Sequence, residues 1–290
     1  MFPVKRTMWF QAILVAVASL IWFGFTMLSG DSGSIVAAGG EGYQAAVSSP
    51  AEQPAPAKII EPGDFQRDQE RFPRVRGALA VRIDLVRNQC VEAGLLFPPR
   101  RIYLQAFKRE RQLAVWGQGS DGSFVLLKTY PVCSMSGDLG PKLQQGDSQV
   151  PEGCYHVDRF NPASNFHLSL GLDYPNETDR QRSAGKNPGG DIFIHGACVS
   201  IGCLAMGDAA IEELYTLAVL VRDQGQRAIP VHIFPGRMDE EGWKALSTTA
   251  QYETWQPLWE QLRNVFRAFD TTRRLPVVGQ VEGVYLVRQE

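Results

Sequence analysis

The chain has 290 residues, 44% of them hydrophobic, and a formal net charge of −2 at pH 7. A chain of this length and composition can bury a substantial core. Because the charges are nearly balanced and no basic face or run stands out, nothing indicates nucleic-acid binding, and we expect no nucleic-acid partner.

The N-terminus predicts a membrane segment. A short cytoplasmic n-region, residues 1–7, carries Lys5 and Arg6 and precedes an uncharged apolar run, residues 8–28, of about the length that crosses a bilayer as a helix. Positive charges ahead of such a run keep the N-terminus in the cytoplasm and send the rest of the chain outward. A cleaved secretory signal is the alternative, with residues 36–38 as the cleavage region. In both cases we expect the body of the protein to be exported.

A linker and a helical segment follow. Residues 29–63 are rich in glycine, serine, alanine and proline, a composition typical of a flexible linker. Residues 64–97 are the predicted helical segment. Apolar side chains recur there at helical spacing over residues 68–93, and Gly94 is the expected helix end.

Strands dominate the prediction for residues 98–236. The first three are separated only by short turns, which favours an antiparallel meander. A polar loop at 174–190 has a length typical of functional loops. The expected strands cover residues 101–108, 112–118, 124–132, 154–160, 166–172, 191–195 and 229–235.

Helices complete the predicted fold. Asp208 is expected to cap a helix with an apolar buried face. Residues 237–290 form a predicted C-terminal helical extension. Its two helices and final strand are expected at residues 239–247, 252–269 and 283–287. The whole pattern predicts an α+β fold of mostly antiparallel sheets with flanking helices, preceded by the N-terminal transmembrane helix.

The number of cysteines is odd. At least one of them must be free or bonded to another molecule, and their spacing matches no disulfide scaffold. An unpaired thiol outside the cytosol is exposed to oxidation, which is easier to understand if that thiol is needed for chemistry. The five are Cys90, Cys133, Cys154, Cys198 and Cys203.

The nonapeptide HGACVSIGC, residues 195–203, concentrates reactive side chains. As metal ligands, His195, Cys198 and Cys203 match none of the usual zinc spacings, and no second ligand pair is present. A redox pair needs a C-x-x-C motif beside a βαβ unit, whereas four residues separate Cys198 from Cys203. We therefore expect neither a metal nor another cofactor.

A buried apolar cysteine is an adequate interpretation of Cys198 but fits Cys203 poorly. Cys203 follows Ser-x-Gly and lies just before an expected helix start, a position that lowers a thiol pKa and supplies backbone N–H donors. The pattern favours Cys203 as a nucleophile, with His195 at a strand end as the base that takes the thiol proton.

Three small residues are expected to shape this site. Gly196 and Gly202 ease the turn that brings Cys203 back toward His195. Gly202 also lets backbone N–H groups approach a carbonyl oxygen closely, as an oxyanion hole requires. Ser200 is expected to hydrogen-bond the turn or the histidine.

The segment IFIHGACVSIGCLAM resembles the active-site segment of the YkuD-type L,D-transpeptidases, whose signature is His-Gly followed by Ser-x-Gly-Cys. The short gap between His195 and Cys203, and the Ala205 and Met206 after the cysteine, resemble the YafK-like branch of that family. The resemblance covers roughly residues 70–290.

This resemblance implies a β-rich catalytic domain over residues 98–236 and a role in cell-wall biogenesis and cell shape. It also implies that the cysteine attacks a peptide carbonyl at the diaminopimelate residue of peptidoglycan stem peptides and forms a thioester acyl-enzyme. Carried over by position, Cys203 is the nucleophile and His195 is the base, and the glycines and serine of the motif shape the site.

Two positions depart from the common family motif. Ile201 stands where the motif has histidine or a similar residue, and Ala205 stands where it has arginine two positions after the cysteine. The missing arginine could have contacted a substrate carboxylate, so the sequence does not determine the identity of the acceptor. Within the YafK-like branch, an amidase that hydrolyses the link between peptidoglycan and a lipoprotein is the alternative to a cross-linking transferase.

The expected partners are peptidoglycan stem peptides and, for the amidase, a wall-attached lipoprotein. We expect the body of the protein in the periplasm, anchored in the inner membrane by residues 8–28 or secreted after cleavage. A non-catalytic wall-binding module is an alternative of another class, which the intact Cys203 and His195 disfavour.

Two further residues are candidates for substrate binding. His167 alternates with apolar residues in a predicted strand and could line the cleft, with a structural partner as an equal alternative. Lys142 could meet a stem carboxylate, although solvated loop lysines are commoner.

Overall fold

The structure of the protein, a computed structural model, describes residues 63–288. The predicted n-region (1–7), the membrane segment (8–28) and all of the linker except Gly63 lie outside these residues and stay predictions. Within residues 63–288, no helix is both long enough and apolar enough to span a membrane.

Helices and strands occupy most of the described chain. The helices are α1 (Asp64–Glu70), α2 (Pro73–Glu92), α3 (Glu177–Arg182), α4 (Asp208–Asp223), α5 (Glu240–Leu246) and α6 (Tyr252–Thr272). The strands are β1 (Ile102–Phe107), β2 (Gln112–Gln118), β3 (Phe124–Pro131), β4 (Gly153–Asn161), β5 (Ser169–Leu172), β6 (Phe193–His195), β7 (Leu204–Ala205), β8 (Ile229–Phe234), β9 (Val277–Val281) and β10 (Val284–Arg288).

Eight of these strands form one sheet in the order β3-β2-β1-β8-β4-β5-β6-β7. The antiparallel meander predicted for β1, β2 and β3 is confirmed. β8 lies between β1 and β4 and runs parallel to β1, and β6 and β7 form a second parallel pair. β9 and β10 form a separate antiparallel hairpin, so the C-terminal extension is not purely helical.

Side-chain alternation along the central strands assigns the two faces of the sheet to different helices. Leu104 of β1 and Val231 of β8 belong to a buried cluster that includes residues of α2 and α4. Phe107 and Phe234, on the opposite face of the same strands, pack with residues of α6 that include the fully buried Trp259. A sheet with flanking helices, as predicted, is therefore the architecture of this part of the chain.

The single helix predicted over residues 68–93 is two helices, because α2 begins at Pro73. Proline lacks an N–H and fixes φ, so it is tolerated at the first helical position and forces the residue before it into extended backbone. Phe72 accordingly has φ −89° and ψ 124° and separates α1 from α2.

The polar loop at 174–190 contains a helix, α3, that was not predicted. The side chain of Asn176 accepts a hydrogen bond from the backbone N–H of Asp179, and the Asp179 carboxylate accepts one from the backbone N–H of Asn176. This reciprocal capping satisfies N–H groups that the first helical turn leaves unpaired.

The strands on either side of this loop are shorter than predicted. β5 begins at Ser169, after His167 with φ 70°, and β6 begins at Phe193, after Asp191 with φ 56°. Backbone in this left-handed region interrupts a strand, because it turns the chain away from its neighbour.

Candidate active site

The sheet brings His195 and Cys203 to the same face. β6 ends at His195, and β7 begins directly after Cys203. The two strands run parallel, with Ile194 opposite Leu204 and His195 opposite Ala205. Because side chains alternate between faces, Cys203 projects on the side of Ala205 and therefore on the side of His195.

The imidazole of His195 is buried and oriented by its own backbone. Its Nδ1 lies 2.5 Å from the carbonyl oxygen of Gly196. Since a carbonyl only accepts, Nδ1 carries the proton and Nε2 keeps a free lone pair. Burial lowers the pKa of His195 below its ordinary value, against the raising effect of the Gly196 hydrogen bond. His195 is therefore neutral at pH 7, as a general base must be.

The thiol of Cys203 is half-buried and donates to the carbonyl oxygen of Asp191, with an Sγ–O distance of 3.7 Å. Burial raises the pKa of Cys203 above its ordinary value, and a hydrogen bond from the backbone of Phe193 lowers it by less. The expected lowering by a helix start is wrong, because α4 begins only at Asp208 and Cys203 leads into β7 instead. Within residues 63–288, no hydrogen bond joins the thiol to the His195 ring.

The backbone N–H groups that we expected to form an oxyanion hole donate to the hydroxyl of Ser200. Its Oγ accepts from the backbone N–H of Cys203 at 2.9 Å and from that of Gly202 at 3.2 Å. The same hydroxyl donates to the carbonyl oxygen of Cys203 at 2.7 Å. Ser200 therefore stabilises the turn, which is one of its two predicted roles. The N–H groups of Gly202 and Cys203 converge on its Oγ.

Both glycines of the motif lie where a side chain would come too close to neighbouring atoms. Gly202 has φ 126°, and a side-chain carbon there would lie 3.1 Å from the carbonyl oxygen of Gln149. At Gly196 such a carbon would lie 2.7 Å from a carboxylate oxygen of Asp208. These are separations at which a Cβ cannot be accommodated without movement of its neighbours.

Asp208 has a different role from the predicted helix cap. The residue that caps α4 is Gly207, without a side-chain hydrogen bond, and Asp208 is the first residue of the helix. Its Oδ1 accepts a hydrogen bond from the backbone N–H of Ala197 at 2.7 Å. Asp208 therefore holds the loop that follows His195.

A disulfide joins Cys133 to Cys198, with an S–S distance of 2.09 Å. Cys198 is exposed and bonded, so its interpretation as a buried apolar residue is wrong. Because its sulfur is not a thiolate, it cannot ligate a metal with His195 and Cys203, and it forms no redox pair with Cys203. Across residues 63–288, no group of three or more His, Cys, Asp or Glu side chains could hold a metal ion.

The three free cysteines differ in access. Cys90 and Cys154 are buried, whereas Cys203 is half-exposed. Burial raises the pKa of Cys90 to about 12 and also raises that of Cys154. Cys203 is therefore the free thiol that a substrate can reach.

The two candidate substrate-binding residues are placed differently. His167 directs its Nε2 to the Glu212 carboxylate of α4 at 2.9 Å, so it has a structural partner. Lys142 is buried, and its Nζ lies 2.5 Å from a carboxylate oxygen of Asp147. It is therefore not a solvated loop lysine. Its positive charge is also close enough to lower the pKa of Cys203.

Several residues beside the thiol were not predicted. Asp191 accepts the thiol hydrogen bond, and Phe166 packs its ring 4.7 Å from that of His195. Arg159 lies over the Phe193 ring and pairs with Asp191. Their side chains come from separate segments, and no local motif marks them.

Comparison with known proteins identifies relatives. The YkuD family, described as the L,D-transpeptidase catalytic domain, matches residues 101–233. Over 188 residues the chain is 37% identical to YafK of Escherichia coli (strain K12), whose name places it among the L,D-transpeptidases. The match covers 64% of this chain and 73% of that protein, and the values for YafK of Escherichia coli O157:H7 are the same.

Two solved structures show weaker similarity. The helical cell shape determining protein Pgp2 from Campylobacter jejuni is 19% identical, with a TM-score of 0.39 and coverage of 63% of this chain and 73% of that chain. Bd1075 of Bdellovibrio bacteriovorus is 21% identical, with a TM-score of 0.34 and coverage of 58% and 62%.

Proposed function

We propose that this chain, which belongs to the L,D-transpeptidase family with a YkuD catalytic domain, forms a thioester between Cys203 and a peptidoglycan stem peptide. The family acts on peptidoglycan stem peptides. The observation that carries the proposal is the accessible free thiol of Cys203 on the same sheet face as the neutral imidazole of His195.

In the first step the thiol proton moves to Nε2 of His195, and Sγ of Cys203 attacks the peptide carbonyl carbon of the diaminopimelate residue. The C–N bond to the next residue breaks, the proton passes from His195 to the leaving amine, and a thioester remains. This step requires the thiol to leave the Asp191 carbonyl, which is a weak acceptor contact at 3.7 Å.

Two backbone N–H groups beside the thiol are the donors for the developing oxyanion. The backbone N–H groups of Gly202 and Cys203 converge on the hydroxyl of Ser200. A substrate oxygen that replaces this hydroxyl receives both N–H groups, which is the geometry that stabilises a tetrahedral intermediate.

The second step resolves the thioester with an amine or with water. Transfer to an amine makes the chain a transpeptidase. Hydrolysis is the second candidate, because Ala205 is fully buried where the family motif has arginine, so this position offers no cation to a carboxylate-bearing acceptor. The substrate of the hydrolase is then the link between peptidoglycan and a lipoprotein. We place this chemistry in the periplasm, with residues 8–28 as the inner-membrane anchor.

Incubation of the full chain with purified sacculi tests the proposal. We expect new muropeptide products by mass spectrometry, and none with Cys203→Ala. Products that persist unchanged in Cys203→Ala would overturn it. Addition of a D-amino acid distinguishes transfer, which yields an exchange product in proportion to the amine, from hydrolysis, which yields only the shortened peptide.

A further inference from the structure

A surface cavity of about 300 Å³ lies at the C-terminal end of α4. Three arginines line it, Arg100, Arg101 and Arg227, together with residues 224–226 and 228. Among the described residues, no acidic side chain belongs to its wall. We call it the arginine cavity, and its positive charge is suited to an anionic ligand.

The three arginines are available to such a ligand. All three are exposed, and none of their side chains forms a hydrogen bond or ion pair with another residue among 63–288. They therefore do not cap the last carbonyl groups of α4. The buried side chain of Gln226 bonds to both the N–H and the carbonyl oxygen of Ile102, at 2.8 and 2.7 Å. These bonds hold the segment that carries Arg101 beside the segment that carries Arg227.

The chain enters the described part of the protein beside the arginine cavity. Gly63, where the predicted linker ends, donates its backbone N–H to the Asp223 carboxylate at 2.6 Å, and the N–H of Gln66 donates to the same carboxylate at 3.1 Å. Asp223 is the last residue of α4 and directly precedes the cavity wall at Gln224. A linker over residues 29–63 can extend by at most about 3.3–3.6 Å per residue, or roughly 100 Å. A membrane segment at 8–28 therefore allows the arginine cavity to reach the bilayer.

An exposed leucine favours a bilayer over a soluble anion as the partner of these arginines. Leu96, four residues before Arg100, is 79% exposed. The interface of a bilayer accepts an apolar side chain and also offers lipid phosphates to the neighbouring arginines. A soluble anion offers only the charge.

We propose that the arginine cavity and Leu96 form a docking surface for a bilayer that contains anionic phospholipids, with the lipid phosphates on Arg100, Arg101 and Arg227. The inference rests on the proposed function for the membrane anchor, which brings a bilayer within reach. The candidate active site stays accessible, because Asp208 holds its loop at the other end of α4, which spans about 24 Å for its 16 residues. Docking therefore sets an orientation that a linker of this composition does not fix.

The full chain in lipid nanodiscs tests the inference. One set of discs contains phosphatidylcholine alone, and the other contains an equal mixture with phosphatidylglycerol. Phenylglyoxal modifies accessible arginines, and mass spectrometry of the peptides gives a rate for each one. In the anionic discs we expect the rates of the three cavity arginines to fall at least about fivefold, the factor that corresponds to about 1 kcal/mol per arginine near an anionic surface. Sodium chloride at about 1 M should restore these rates, because it screens the charges.

Variants of single residues assign the surface. Arg227→Gln should return the rates of Arg100 and Arg101 to within about twofold of their values in neutral discs, and Leu96→Ser should act in the same direction. Both residues are exposed, so these changes keep the fold. Arg180 is also exposed but lies outside the docking surface. Arg180→Gln is therefore the matched control and should leave the protection unchanged.

Equal rates in both kinds of disc overturn the inference, as does protection that either Arg227→Gln or Leu96→Ser leaves unchanged. Inorganic phosphate added to neutral discs is the soluble anion. Protection by phosphate that equals the protection in anionic discs would assign the arginine cavity to a free anion and reject the docking surface.

Insertion of the anchor is measured separately, as the chain that stays with the discs at alkaline pH. A chain that alkali extracts but that anionic discs protect would reject the anchor and keep the docking surface. A chain that is inserted but equally modified in both kinds of disc would do the reverse. The acyl-enzyme chemistry has its own test in the muropeptide products, which none of these rates measures.

Discussion

Cys198 is bonded to Cys133, and this bond fixes the middle of the segment that joins His195 to Cys203. The backbone beside Cys133 also holds β7, since its N–H donates to the carbonyl oxygen of Ala205 at 2.9 Å. The segment after β3 therefore contacts the chain at Cys198, between the two proposed catalytic residues, and at Ala205 of β7, just after Cys203.

Replacing both partners, as Cys133→Ser with Cys198→Ser, should lower the free energy of unfolding by about 2–4 kcal/mol. The bond spans 65 residues, and a cross-link of that length restricts the unfolded chain strongly. Urea denaturation measures the loss. A reducing agent should destabilise the unmodified chain by the same amount and leave the double variant unchanged. Equal stability of the oxidised chain and the double variant would contradict the prediction.

Cys203→Ala and Cys203→Ser should lower stem-peptide turnover by several orders of magnitude, because each removes the group that forms the thioester. The melting temperature should change little, since the half-exposed thiol makes a long hydrogen bond of 3.7 Å to Asp191 and accepts one from the backbone of Phe193. Turnover is followed by mass spectrometry with a defined tetrapeptide. Cys133→Ser with Cys198→Ser is the comparison, and it should retain far more activity. Comparable losses in both variants would indicate damage to the fold rather than loss of a nucleophile.

Alkylation of Cys203 by iodoacetamide should be slow at neutral pH and should accelerate up to and beyond about pH 8.5. The reason is that burial raises the pKa of Cys203, so the thiol keeps its proton at neutral pH. Mass spectrometry of the full chain over a pH series gives the rate. A rate that has already reached its plateau at about pH 6 would mean that the resting pair is thiolate and imidazolium instead.

Turnover should be insensitive to acid until the pH falls below about 6.5. Burial lowers the pKa of His195, so the imidazole remains an unprotonated base down to that range and loses activity only when it gains a proton. The acid limb of kcat/KM measures this. An acid limb centred above pH 7 would rule out His195, in this environment, as the base.

Stability should fall as the pH rises from about 4 to about 6, because of Asp179. Burial raises its pKa to about 6, so the folded chain holds this proton more tightly than the unfolded chain does. The contribution of Asp179 to the free energy of unfolding is complete below the pKa of this group in the unfolded chain. As the pH rises through the pKa in the folded chain, this contribution of up to about 3 kcal/mol is lost. Asp179→Asn should flatten this part of the stability profile in urea titrations, whereas Glu177→Gln, an exposed change in the same helix, should not. A slope that persists in Asp179→Asn would assign it to another group.

Local patterns in the sequence were sufficient for much of this protein. Strand spacing predicted the meander of β1 to β3, and the His-Gly and Ser-x-Gly-Cys motif singled out His195 and Cys203, since a strand and a tight turn are encoded by adjacent residues. Contacts between residues that are close in the sequence could be predicted in the same way, such as the hydrogen bond from the N–H of Cys203 to Ser200.

Only the tertiary structure decided the properties that depend on distant segments. The partner of Cys198 lies 65 residues away, and His167 meets Glu212 only because α4 packs against the sheet. The position of Cys203 before a helix start predicted a lowered pKa, but burial at the sheet raises it. Desolvation depends on everything that surrounds a group, and local spacing specifies only its neighbours along the chain.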